Sequence, residues 1–326
     1  LSRLEQQAAG NDLIKTGPGE LILTGTGNNC TDVAVHGGTL TYDNPGAIRN
    51  NDSSDNDLTL ASATLNYSGD NDADIVKQIR VRGDAVFEVS GAGAVTYSDP
   101  TIPSTHGSTH LVTLTGTGVG TMAGNLDLGL GEIVKTGTGT WILGGDNTYR
   151  GDTDIQSGLL AISGSTSEWS RVYVDGTGTL GGDGTVGGDT VVAGTLAPGM
   201  SPGTLTFLND LTILDGAVYA WEEGTSLDDL VRGDGTNTLV LPDNFTVDFV
   251  NGGSPDGLLL FADFGDIQMP QSTSGWTIGT YDAFVTLAED GSLYIEPFVI
   301  PEPASLVLLA AAGLLAVRRQ RLSRRG

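Results

Sequence analysis

Disulfide chemistry is absent from this chain: Cys30 is its single cysteine, so no internal bridge can form and stability rests on packing. An extracellular address is compatible with that lack. Histidine is scarce too, at three residues, which leaves little material for metal or acid–base chemistry. Basic residues number 15 against 40 acidic ones. Arg318, Arg319, Arg321, Arg324 and Arg325 crowd into the last nine positions, so the preceding body is strongly anionic. Such a body repels phosphate backbones, which argues against nucleic acid as a partner, and it attracts divalent cations. Helical periodicity is missing before residue 300. Residues 1–10 lack a basic-then-apolar export signal, so the N-terminus reads as truncated or processed, with any signal peptide upstream.

Glycine, by contrast, is abundant at 49 of 326 residues, about twice its usual share. The run Leu13-Ile14-Lys15-Thr16-Gly17-Pro18-Gly19-Glu20-Leu21-Ile22-Leu23 returns as Ile133-Val134-Lys135-Thr136-Gly137-Thr138-Gly139-Thr140-Trp141-Ile142-Leu143. The match runs on without gaps, aligning Gly25 with Gly145, Asp32 with Asp152, Gly38 with Gly158 and Leu40 with Leu160. Two ungapped copies mark an internal duplication. Around them run short pieces rich in β-branched residues, such as Val172-Tyr173-Val174 and Thr190-Val191-Val192, separated by Gly, Asn, Asp or Ser. This is a grammar of strands and turns. Strands so short suit a coil that stacks on its neighbours about 4.8 Å away, with glycine at corners and residues such as Leu21, Leu40, Ile142 and Leu160 lining the interior. At roughly 20–25 residues per coil, residues 11–222 hold about nine or ten coils.

From Glu223 glycine thins and longer apolar runs appear, which predicts a β-rich cap over 223–299 that stops further stacking. The expected organisation is an N-terminal remnant (1–10), a solenoid (11–222), a cap (223–299) and a C-terminal signal segment (300–326).

The two copies resemble the autotransporter-associated β-strand repeat, with its hydrophobic-Lys-Thr-Gly-x-Gly pattern followed by a short strand and a Gly-Thr-Leu. Residues 178–206 resemble the end of such an array. The resemblance covers most of 11–222, is poor between about 43 and 130, and implies a right-handed parallel β-helix displayed outside the cytoplasm. The end of the chain resembles the PEP-CTERM sorting signal: Pro301-Glu302-Pro303, fourteen uncharged residues (304–317), then the arginine cluster. That resemblance implies an exosortase-type membrane protease as partner, which removes the tail, and an association with extracellular polysaccharide. Fourteen residues as a short hydrophobic helix rise about 21 Å, less than a bilayer core of about 30 Å, which suits a transient tether better than a permanent span. The arginines would form a cytoplasmic basic stop, and Pro301 and Pro303 would hold the processing motif extended.

Sites for chemistry are sparse. Residues 176–181 satisfy G-x-G-x-x-G, but the glycine-rich sequence that follows cannot sustain the helix that such a phosphate site requires, so no cofactor is expected. Residues 181–186 approach a calcium nonapeptide with Val186 at the ligand position. Asp70, Asp72 and Asp74 alternate as in a calcium loop without its glycine or glutamate, and residues 50–57 form another acidic loop. Loose calcium binding is the most these allow. His106 and His110 sit in a Pro- and Ser-rich loop without a third ligand, and Cys30 lacks a neighbouring histidine. No catalytic, cofactor or metal residue is therefore assigned. The expected function is a non-enzymatic structural or adhesive surface protein. The alternative is a polysaccharide lyase or glycoside hydrolase on the same scaffold, which would draw on carboxylates such as Glu222, Glu223, Asp228 and Asp229.

Overall fold

The computed structural model describes residues 3–5, 12–25, 30–48, 57–99, 102–103, 109–200, 202–224, 228–250, 258–279, 283–288 and 292–297. Among them there is no α-helix; a single 3-10 turn, Pro45–Ala47, interrupts a succession of strands. The expected C-terminal helix over 304–317 lies outside the described residues.

The chain coils into a three-sided parallel β-solenoid. One ladder starts with Leu13–Thr16 and passes through the first halves of Val33–Tyr42 and Asp57–Tyr67 to Gln78–Val81. It is taken up later by Thr185–Val186, Thr204–Phe207, Leu230–Arg232 and Leu258–Ala262. A second ladder aligns Leu21, Leu40, Leu65, Phe87, Leu114, Lys135, Ile155, Val174, Val192 and Ile213, ten rungs joined by nine turns of chain. A third begins at Ala73–Ile75 and runs through Val95–Tyr97, Val119–Met122 and Thr140–Leu143 to Thr246–Phe249 and Thr277–Ile278. Every pairing in the three ladders is parallel, as stacking of successive coils demands.

Alternation along each strand decides what points inward. In Ala85–Val89 and Thr140–Leu143 every second residue is buried, and the inward rows merge into one continuous core. Aromatic rings fill its widest part: Tyr97 stacks on Trp141 at 6.4 Å between centroids, Phe87 meets both edge-on, and the Tyr42 and Tyr97 hydroxyls share a 3.1 Å hydrogen bond. Trp141 Nε1 donates to the Thr115 carbonyl, so the indole is buried without an orphaned donor.

Parallel pairing runs through position 223 without a break, because Leu211 pairs with Leu239 and Val218 with Thr246. The coils here lengthen, with Thr212 facing Val240 and Val240 facing Gln268, yet the inward alternation of Leu239, Leu241 and Val247 persists. Stacking ends at antiparallel strands: Leu293–Pro297 pairs with Leu258–Ala262 and with Ala283–Leu287. At the other end Arg3–Glu5 lies antiparallel on Leu13–Thr16.

Candidate functional site

The repeat motif builds a corner around a buried amine. In Leu13–Thr16 alternation sends Leu13 and Lys15 inward, and Lys15 is fully buried. Its Nζ donates to the carbonyls of Gly17 and Gly37, each at 2.7 Å, tying its own coil to the next. Lys135 repeats the device with three acceptors, Thr136, Gly137 and Ser157, at 2.8–3.0 Å. The glycine of the Gly-Thr-Leu piece completes the corner. Gly38 and Gly158 have φ of 70° and 69°, and a Cβ on either would stand 2.6 Å from the lysine Nζ. The lysine and a glycine 23 residues later are thus one unit.

Lys77, the remaining one of the chain's three lysines, is also buried and donates to the carbonyls of Cys30 and Thr31. Burial lowers the pKa of all three amines, to about 8 for Lys77 and Lys135. No lysine is left on the surface, which deepens the anionic character of the exterior. Burial pushes the Cys30 thiol up against the opposing pull of Lys77, the reverse of what an activated nucleophile requires.

Carboxylates and carboxamides at other corners bind main-chain N–H groups of the adjoining coil. Asp32 accepts from Asp57 N, Asp72 from Ala94 N, Asp84 from Leu111 N, Asp210 from Thr238 N and Asp215 from Asn244 N, at 2.8–3.1 Å. Of the calcium-loop candidates, Asp72 is engaged in this way and Asp74 accepts from the Ser98 hydroxyl. Asp70 is exposed beside them. Asp57, at the end of the second acidic loop, pairs with Arg80 at 2.6 Å. Among the described residues no three His, Cys, Asp or Glu side chains converge as a metal site.

Of the four carboxylates weighed for hydrolysis, Asp229 is buried, accepting from Gly203 N and Glu222 N at 2.9 Å, while its carbonyl receives Trp221 Nε1. Burial raises its pKa to about 6. It fastens Gly203 to the end of the strand Val218–Trp221. Asp228 accepts from Gly224 N. The G-x-G-x-x-G stretch lies inside the strand Val172–Gly182 and leads into another strand, Thr185–Val186. Pro301, Glu302, Pro303, the five arginines and His106 lie outside the described residues.

The lysine-and-glycine corner recurs where sequence comparison finds a family signature. The passenger-associated-transport-repeat model matches residues 13–41 and 133–162, and the PEP-CTERM protein-sorting motif matches residues 299–325. The chain carries two passenger-associated-transport repeats and a C-terminal sorting motif. Together these indicate export, sorting at a membrane by exosortase-type machinery, and a cell-surface or extracellular destination. An extracellular serine protease of Serratia marcescens is 48% identical over 92 residues, which is 28% of this chain and 9% of the protease. The adhesin BmaC autotransporter of Brucella suis is 35% identical over 107 residues, 31% of this chain and 3% of the adhesin. The chain thus spans under a tenth of either relative's length.

Sequence reasoning missed two features. Lys15 and Lys135 occupy inward positions of their strands, a signal present in the alternation Leu-Ile-Lys and Ile-Val-Lys. Trp169, outside both repeats, has 62% of its surface exposed. Trp141 and Trp221, which look isolated in sequence, are core residues.

Proposed function

We propose that this protein is a non-enzymatic structural or adhesive element of the cell surface, associated with extracellular polysaccharide. The observation that carries the reading is what the polar groups do: buried amines and corner carboxylates are committed to main-chain partners in adjoining coils. Such groups hold the stack together, whereas glycoside hydrolysis needs two carboxylates facing each other across an open groove. The BmaC relative, named an adhesin, supports the adhesive reading, and the sorting motif supports the surface destination. Pro301, Glu302 and Pro303 are the proposed processing motif, and Arg318, Arg319, Arg321, Arg324 and Arg325 the proposed cytoplasmic stop. Loose calcium binding at the acidic corners is compatible with this role.

Fractionation of the native host tests the proposal. The protein should partition with the surface or matrix fraction, with a mature C-terminus near Pro303. Release of glycan fragments by the purified protein, abolished by one carboxylate substitution, would overturn the non-enzymatic reading.

A further inference from the structure

Trp169 is the most exposed large apolar side chain among the described residues. Its turn is fixed: Ser170 N donates to the Ser167 carbonyl and Trp169 N to Ser167 Oγ, at 3.1 and 3.2 Å. Gly187 of the next coil lies against that turn so closely that a side chain there would collide with the backbone of Thr166 and Ser167. Four residues on, Tyr173 is aligned on the second ladder between Asp154 and Val191. Arg171, between the two aromatics in sequence, lies 5.7 Å from the Tyr173 centroid and is bidentate to Asp152 at 3.0 and 3.2 Å. Gln156 donates to Asp154 at 2.7 Å, adding an amide and a carboxylate to the same strip.

We infer that this corner is a stacking platform for an uncharged pyranose polysaccharide. The inference rests on the proposed matrix association and names the site and the ligand class. The C–H face of a pyranose carries slight positive charge and packs on the negative face of an indole or phenol ring. Equatorial hydroxyls need donors and acceptors at the rim, which Arg171, Asp152, Asp154 and Gln156 supply. Charge sets the class. Asp152 is paired with the one arginine and Asp189 acts on it as well, Asp154 is the ladder partner of Tyr173 and Glu168 adjoins Trp169 in sequence, so uronate, sulfate or phosphate groups are repelled.

Affinity electrophoresis of the full chain tests this, with hydroxyethylcellulose and mannan as neutral probes, alginate as the anionic one, and polysaccharide prepared from the native host's matrix. A neutral probe should retard the protein, and alginate should not. Trp169→Ala and Tyr173→Ala should each weaken that retardation at least about tenfold, while Leu214→Ala, exposed on other coils, leaves it unchanged. Retention of Trp169→Ala equal to wild type on neutral or host polysaccharide overturns the platform and leaves matrix association standing. A wild-type chain retarded by none of the four polymers overturns both. Unchanged unfolding midpoints in the two variants exclude loss of fold as the cause.

Discussion

The two copies of the repeat share their residues and their corner but not their place in the prism. In residues 13–41 the strands Leu13–Thr16 and Glu20–Leu23 lie on the first and second ladders. In 133–162 the strands Ile133–Lys135 and Thr140–Leu143 lie on the second and third. The intervening chain advances by whole coils plus one face. Burial differs as well: Leu21 and Leu23 are only partly covered and Ile22 is exposed, whereas Trp141 and Leu143 are fully enclosed between rungs. The motif therefore specifies a corner, a lysine clamp with its glycine, while neighbouring coils decide how much apolar surface each copy buries.

Substitutions at matched positions can break that comparison. The largest contrast is expected at the aligned pair Trp141 and Leu21. Trp141→Ala should cost about 3–5 kcal/mol, as for large core truncations, and Leu21→Ala about 1 kcal/mol. Urea unfolding monitored with amide exchange of the 133–162 peptides would show it, and equal losses would mean that the first copy is as enclosed as the second. Next come the clamps. Lys135→Met removes three hydrogen bonds to main-chain carbonyls and should cost about 2–4 kcal/mol, with Lys15→Met costing less because it removes two. Gly38→Ala and Gly158→Ala should each cost about 1–3 kcal/mol, and by similar amounts, since their φ values and approach to Nζ agree. A large difference between these two would show that the corners are not equivalent.

The smallest effect is on pH dependence. With a folded-state pKa near 8 against an ordinary 10.5, Lys135 binds fewer protons folded than unfolded in that interval. Stability must then rise as pH climbs through 8, and the cost of burying the charge is present in full below it. Between pH 7.5 and 9 the urea midpoint should increase in the wild type and increase less in Lys135→Met. A wild-type midpoint that falls over this window would contradict the assignment.

The all-β solenoid and the coil spacing were legible because β-branched triplets alternate with Gly and Asp at short intervals, a pattern that few other architectures tolerate. Coil register between 43 and 130 was not, since Asp57–Tyr67 spans two faces in one strand and matches no copy of the repeat. Position 223 looked like a boundary because glycine thins there, yet a longer coil stacks as well when Leu239 and Val247 keep the inward period. The lysines were hidden by charge: a residue type expected at the surface occupied inward positions, and only main-chain carbonyls at a tight corner make that burial tolerable. Likewise the acidic corners read as solvated loops, because nothing in an isolated Asp shows that the next coil's N–H lies within reach.

The central claim is that every lysine of the chain is an internal clamp. Brief acetylation of the native protein with an amine-reactive ester, followed by mass spectrometry, tests it directly. The account predicts that Lys15, Lys77 and Lys135 remain unmodified until the protein is unfolded and then react together. Rapid acetylation of Lys15 or Lys135 in the folded protein would contradict it.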